Sequence, residues 1–340
     1  MRAASREIIL GVWVCCALVS AAIAKNTTQS AVQRPRVPAN PSKLVSKGSP
    51  TRPLDRRALV RRHNVTLSTA DPLTPLSVGN GEFAFTVDIT GLQTYPEYHQ
   101  QGMTLGTQSQ WGWHTMPNPN GYKLADILDD YVVAGRKVPY ASDKDCSRTY
   151  SPAASWLRAN PHRLHLGQIG LRIAGADGSL VGINELTHTL QTLDLWTGLL
   201  ISRFETEGRP VKVQTVCHPY RDLLAVRIES PLLRHRHATQ HRITSGRADF
   251  VRILDDDRYY VRIAWSSGGK IRIESQHKYD ILSQDGRHWR QFRMSGGAID
   301  FSECTDSRAA ELERRVVLWQ YLTAIQCSSS RGPSEPGEIS

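Results

Sequence analysis

A chain of 340 residues with 40% hydrophobic and 22% charged residues has enough apolar side chains for one large β domain or two ordinary domains, which excludes a wholly disordered protein. The net charge of +10 suggests a nucleic-acid ligand until it is located. Ten basic residues between Lys25 and Arg62 face Asp55 alone, Arg2 and Arg6 face Glu7, and from His63 onward the two signs balance. The body is therefore neutral and no nucleic-acid partner is expected.

Residues 1–24, MRAASREIILGVWVCCALVSAAIA, join a basic start at Arg2 and Arg6 to an apolar run from Ile8 to about Ala22. The run ends in the small-x-small triplet Ala22-Ile23-Ala24, which reads as a secretory signal peptide. It falls short of the roughly 20 residues that a membrane span needs, so no span is expected after cleavage and the protein is expected outside the cytoplasm, periplasmic or extracellular. Val14 is too large for the position before a lipid-bearing cysteine, which argues against acylation at Cys15. Residues 25–59, rich in Pro, Ser and Gln, read as a basic disordered linker. Asn26 and Asn64 open glycosylation sequons, meaningful only where that machinery exists.

Residues 60–303 read mainly as strands. In EFAFTVDITG, Phe83, Phe85, Val87 and Ile89 alternate with Ala84, Thr86, Asp88 and Thr90, and Asn80-Gly81 before them supplies a turn. The runs over residues 198–205, 211–216 and 223–230 are spaced as a meander. Further runs follow over 249–254, 258–265, 270–275, 288–294 (HWRQFRM) and 298–303 (AIDFSE), and Asp255-Asp256-Asp257 marks a hairpin turn. Short strands at this spacing predict a sandwich or barrel rather than an alternating βα fold.

The period then changes. Residues 304–327 carry a predicted helix, capped by Asp306 or Ser307, with Leu312, Val316, Trp319, Leu322 and Ile325 at helical spacing. Its apolar face is wide enough to call for neighbouring helices, yet none is expected before the disordered tail, residues 328–340. An uncovered face implies self-association through this helix, relieved by removing residues 308–340. Cys146, Cys217, Cys304 and Cys327 remain after processing; they permit three disulfide pairings or none, and have no metal-site spacing.

The segments DPLTPLSVGNGEFAFTVDITGLQT, SQWGWHTMPNP, LDLWTGLLISRFETEGRPVKVQTVCHPYRDLLAVRIES and ELERRVVLWQYLTAIQC together resemble the front part of bacterial six-hairpin glycosidase-like proteins. These are relatives of the maltose and kojibiose phosphorylases of glycoside hydrolase family 65. The resemblance runs over roughly residues 60–327. It implies a large antiparallel β-supersandwich followed by one C-terminal α-helix that begins a helical linker, with the catalytic (α/α)6 barrel missing. The ending RGPSEPGEIS would then replace a continuation.

Inverting glycoside cleavage needs two carboxyl groups flanking one bond, and none of Glu82, Asp88, Glu97, Asp126, Asp129 and Asp130 is marked as an acid by its neighbours. No catalytic residue is assigned. His235, His237 and His241 read as a polar solvated strand rather than metal ligands, and no nucleotide or dinucleotide fingerprint implies a cofactor. Trp111, Trp113 and His114 are the candidate sugar contacts. Flat indoles suit the C–H faces of sugar rings, while packing of an indole under the loop is an equal alternative. Two functions follow. One is an exported glycoside hydrolase- or phosphorylase-like protein reduced to its non-catalytic sandwich; the other is a secreted glycan- or envelope-binding module without chemistry.

Overall fold

The computed structural model describes residues 8–9, 53–141, 151–234, 246–255, 257–266, 270–272 and 281–327. In chain order the strands are β1 (Ile8–Ile9), β2 (Val65–Leu67), β3 (Leu76–Gly79), β4 (Phe83–Val87), β5 (Thr107–Ser109), β6 (Trp113–His114), β7 (Leu128–Val133), β8 (Arg136–Ala141) and β9 (His162–Arg163). They continue with β10 (Arg172–Ile173), β11 (Thr187–Leu193), β12 (Leu200–Thr206), β13 (Arg209–Cys217), β14 (Leu224–Glu229), β15 (Gly246–Leu254), β16 (Asp257–Ser266) and β17 (Lys270–Arg272). The α-helices are α1 (Arg56–Arg61), α2 (Pro96–His99), α3 (Pro152–Ala159), α4 (Ile281–Ser295) and α5 (Ala309–Cys327).

The protein is mainly β, built from antiparallel sheets with a C-terminal helix. Eight strands form the central sheet in the order β15-β16-β17-β14-β13-β12-β11-β2, and β3-β4-β5 form a second sheet. The expected meander is present: Phe204 of β12 faces Val211 of β13, and Val213 faces Ile228 of β14. The β15–β16 hairpin turns at Asp255, whose φ is +48°. Alternation in β4 buries Phe83, Phe85 and Val87, and these join Leu200, Phe204, Val211 and Val213 in one apolar core. The two sheets approach closely at Gly91, where φ is +84° and a Cβ would meet Ser202 Oγ at 2.8 Å. Only glycine fits there.

Asn80 shapes the β3–β4 turn. Its Oδ1 accepts from the N–H groups of Glu82 and Phe83 at 2.9 and 2.8 Å, and its Nδ2 donates to the carbonyls of His218 and Arg221. One carboxamide thus closes the hairpin and fastens to it the loop between β13 and β14.

Three expectations are corrected. HWRQFRM is not a strand but the second half of α4, because Trp289, Phe292 and Arg293 stand at i, i+3 and i+4 and pack one helical face. AIDFSE forms no strand; Asp300 Oδ1 turns the chain by accepting from Ser302 N–H, and Glu313 accepts from Phe301 N–H. The linker ends earlier than residue 59, because Asp55 caps α1 and Leu59 and Val60 are buried.

The correction to α4 also changes the standing of α5. Val317, Tyr321, Ala324 and Ile325 are buried on one face of α5, over β3, β4 and α4, and the Tyr321 ring stacks on Trp289 at 4.8 Å. The neighbouring helix that the wide apolar face calls for is present, ahead of α5 in the chain. On its other side Leu312 and Trp319 stay exposed, Trp319 at 67%.

Within the expected signal peptide, Ile8–Ile9 pair with Ile173 and Arg172, a ladder that cleavage after residue 24 would remove. Residues 10–52, the tail 328–340, Cys146, the three histidines His235, His237 and His241, and residues 273–275 of KIRIES lie outside the described residues. Among the described cysteines, Cys217 is buried, with its Sγ 3.5 Å from His218 O, and Cys304 and Cys327 are exposed. No described helix is long and apolar enough to cross a membrane.

Candidate functional site

Gly112 lets the chain reverse between β5 and β6: its N–H bonds to Ser109 O, and Trp113 N–H bonds to Trp111 O at 2.9 Å. The reversal sends the three candidate residues to different environments.

Trp111 is 36% exposed. Its indole Nε1–H donates to Asp222 Oδ2 at 2.7 Å, and the same oxygen accepts from Ser109 Oγ at 2.5 Å. The indole and the Tyr259 ring meet edge to face, with centroids 5.9 Å apart and an interplanar angle of 62°. The ring is therefore held in one orientation by partners from two distant parts of the chain, with part of its surface left to solvent.

Trp113 lies in β6, opposite Arg163 of β9. The Arg163 guanidinium sits 4.6 Å over its ring, and Arg163 Nη1 donates to Ser109 O at 3.0 Å. A cation–π partner of this kind already occupies one indole face. His114 is 7% exposed, with Nε2 3.2 Å from Asp255 Oδ2 and its ring edge-on to His162 at 5.4 Å. It joins β6 to the turn of the β15–β16 hairpin and presents almost nothing to solvent. Of the three residues, Trp111 alone offers an aromatic surface with no side chain stacked on it among the contacts described.

Asp222 is the residue that sequence reasoning missed. It stands in the loop fastened by Asn80, and Tyr220, two residues before it, is 70% exposed. Burial raises the Asp222 carboxyl above the ordinary aspartate range; the bonds from Ser109 and Trp111 act against this, and the nearby charge of Glu82 adds to it. Among the described residues Asp222 takes part in no ion pair. The only local hint in the sequence was an aromatic and a carboxylate in a proline-containing turn, HPYRD.

Two of the other early carboxylates have structural duties. Asp88 is fully buried, accepting from Thr90 N–H, Thr90 Oγ1 and Tyr95 N–H, and Asp126 accepts from Lys123 N–H. Asp129 and Asp130 lie on the β7–β8 hairpin. No group of three His, Cys, Asp or Glu side chains able to hold a metal occurs among the described residues. The arrangement combines one oriented indole and a carboxylate that, among the described residues, accepts from the neutral donors of Ser109 and Trp111, a set suited to hydroxyl-rich, uncharged ligands. The exposed Tyr220 ring meets His218 and His288 instead. No known family model matches the chain, and no curated protein matches it.

Proposed function

We propose that this is an exported carbohydrate-binding protein, the non-catalytic N-terminal β-supersandwich of a glycoside hydrolase- or phosphorylase-like protein, with a sugar ring seated on Trp111. The observation that carries the reading is the indole of Trp111, part-exposed and fixed by Asp222 and Tyr259. A fixed ring loses little rotamer freedom when a ligand arrives. The resemblance to six-hairpin glycosidases supports a sugar ligand and a sandwich of the eight-stranded and three-stranded sheets, which share one core. Trp113 and His114 are engaged by Arg163 and Asp255 instead.

The test is titration calorimetry and affinity electrophoresis of the purified chain against a panel of neutral oligo- and polysaccharides. Trp111→Ala is expected to weaken binding at least about tenfold, the loss of about 1.4 kcal/mol at an aromatic anchor. Equal binding by wild type and Trp111→Ala, or no binding to any glycan, would refute the reading. Turnover of nitrophenyl glycosides, with or without phosphate, is expected to be absent, since the six-hairpin glycosidases that the chain resembles carry the general acid on their helical barrel. The exposed side of α5, with Trp319 and Leu312 beside Phe292, is the surface we assign to self-association.

A further inference from the structure

A small cavity lies where the loop after β2, helix α2, the end of β4 and strand β11 meet. Its volume is about 10 Å³, and Thr69, Thr74, Asp88, His99 and Gln191 are among the residues lining it. His99 and Gln191 are each 1% exposed, and each has one side-chain atom without a hydrogen-bond partner among the described residues: His99 Nε2 and Gln191 Oε1. Two buried orphans lining one cavity call for a common explanation, because a lone buried polar atom is costly.

The chemistry of both atoms is fixed by their neighbours. Gln191 Nε2 donates to Asp88 O at 2.7 Å and to Ser202 Oγ at 2.8 Å. A carbonyl only accepts, so the amide cannot be turned the other way, and the unpartnered atom is an acceptor. His99 Nδ1 lies 3.3 Å from Pro72 O. That carbonyl again requires a proton on Nδ1, and in the neutral ring Nε2 is then also an acceptor. The cavity therefore presents two acceptors and needs one small molecule with two donors. Its volume is about that of the smallest space that holds one water.

We propose that a single ordered water occupies this cavity, donating one O–H to His99 Nε2 and the other to Gln191 Oε1. A lining threonine hydroxyl, Thr69 or Thr74, supplies the third bond that buried waters usually make. The water pins α2 and the 69–75 loop to the central sheet. It is an integral part of the fold at a junction where two buried side-chain acceptors do not satisfy each other. A metal ion is the competing occupant, but no cluster of three ligating side chains stands here among the described residues.

A crystal structure of the full chain at high resolution, with anomalous data and metal analysis of the same sample, tests the proposal. The expected result is one peak within hydrogen-bond distance of both His99 Nε2 and Gln191 Oε1, with no anomalous signal and no stoichiometric metal. In His99→Leu the peak should vanish. Nitrogen-15 spectra of the wild type should give His99 as the Nδ1–H tautomer. An empty cavity, a metal peak, or a proton on Nε2 in the neutral ring would each overturn it. These outcomes are independent of whether the protein binds sugar.

Discussion

Truncating Tyr321 to alanine separates a docked C-terminal helix from a dangling one. The ring is 1% exposed, stacks on Trp289 at 4.8 Å, and its hydroxyl donates to Ser77 O in β3 at 3.0 Å. Removing a buried aromatic ring costs about 3–5 kcal/mol, and the lost hydroxyl bond adds about 1 kcal/mol. That is a large share of the 5–15 kcal/mol typical of a domain. Tyr321→Phe keeps the stacking and is expected to cost only about 0.5–1.5 kcal/mol. Urea unfolding followed by tryptophan fluorescence and by far-ultraviolet circular dichroism measures both, with an unchanged slope expected in each variant. A loss below about 1 kcal/mol for Tyr321→Ala, against the 3–5 kcal/mol of a packed ring, would refute the packing of α5 on α4 and β3. So would helical signal lost before the sheet unfolds. The same packing reverses the expectation drawn from sequence for removal of residues 308–340. Deleting α5 uncovers β3 and β4 and is expected to lower solubility.

Glu313 on α5 accepts from Arg62 Nε at 2.8 Å and from Phe301 N–H at 2.6 Å, and lies 2.5 Å from His63 Nε2. Glu313→Gln is therefore expected to cost about 1.5–3 kcal/mol, the range for bonds to a charged group, read by urea unfolding at neutral pH. The Ser302 backbone N–H, the Ser302 hydroxyl and Arg62 hold the Asp300 carboxyl at about 2. A lowered folded-state value stabilises above the ordinary carboxylate range and is lost as pH falls through about 2, so acid unfolding should begin in that window and shift upward in Arg62→Met. Asp222 is raised by burial, so it binds its proton more tightly folded than unfolded, and stability falls as pH rises above the ordinary aspartate value. Asp222→Asn should flatten that slope in unfolding midpoints measured across the window. Trp319→Ser should reduce the scattering mass of the protein at equal concentration without changing its circular dichroism; an unchanged mass, with the wild type above monomer, would remove α5 from the self-association surface.

What the sequence made legible depended on how much of each signal was local. The β3–β4 hairpin carried its own turn chemistry in Asn80 and a period of two over Phe83, Phe85 and Val87, and both features lie within a few residues. The meander had the same advantage. Helix α4 did not, because seven residues of HWRQFRM fit a strand as well as a helix, and the contact that decides between them, Trp289 on Tyr321, comes from 32 residues away. Losing α4 made α5 look unpartnered, so one ambiguous window produced two errors. In the candidate site the sequence pointed to Trp111 by its company of turn residues. Asp222 was not legible, because the bond that recruits it spans 111 positions and no spacing rule links a loop tryptophan to a carboxylate in another hairpin.

The way Trp111 is held bears on what a ligand would sense. Its only donor, Nε1–H, is already given to Asp222, so the indole can meet a sugar only through its ring and would read the C–H face of the pyranose. Hydroxyl selectivity then falls to groups around it, first to whatever acceptor capacity Asp222 retains after Ser109 and Trp111. An apolar face contact with neutral polar rim bonds is weakly screened by salt, unlike an ion pair, whose strength falls once ions shorten the Debye length to about 10 Å at 0.1 M. On the proposed function, binding measured from 50 mM to 500 mM salt should change by less than about twofold, and sugars with an axial hydroxyl on the stacked face should bind worse than their equatorial epimers. A steep loss with salt would point to a charged ligand engaging Glu82, Asp222 or Arg163, and would remove the indole face from the centre of the site.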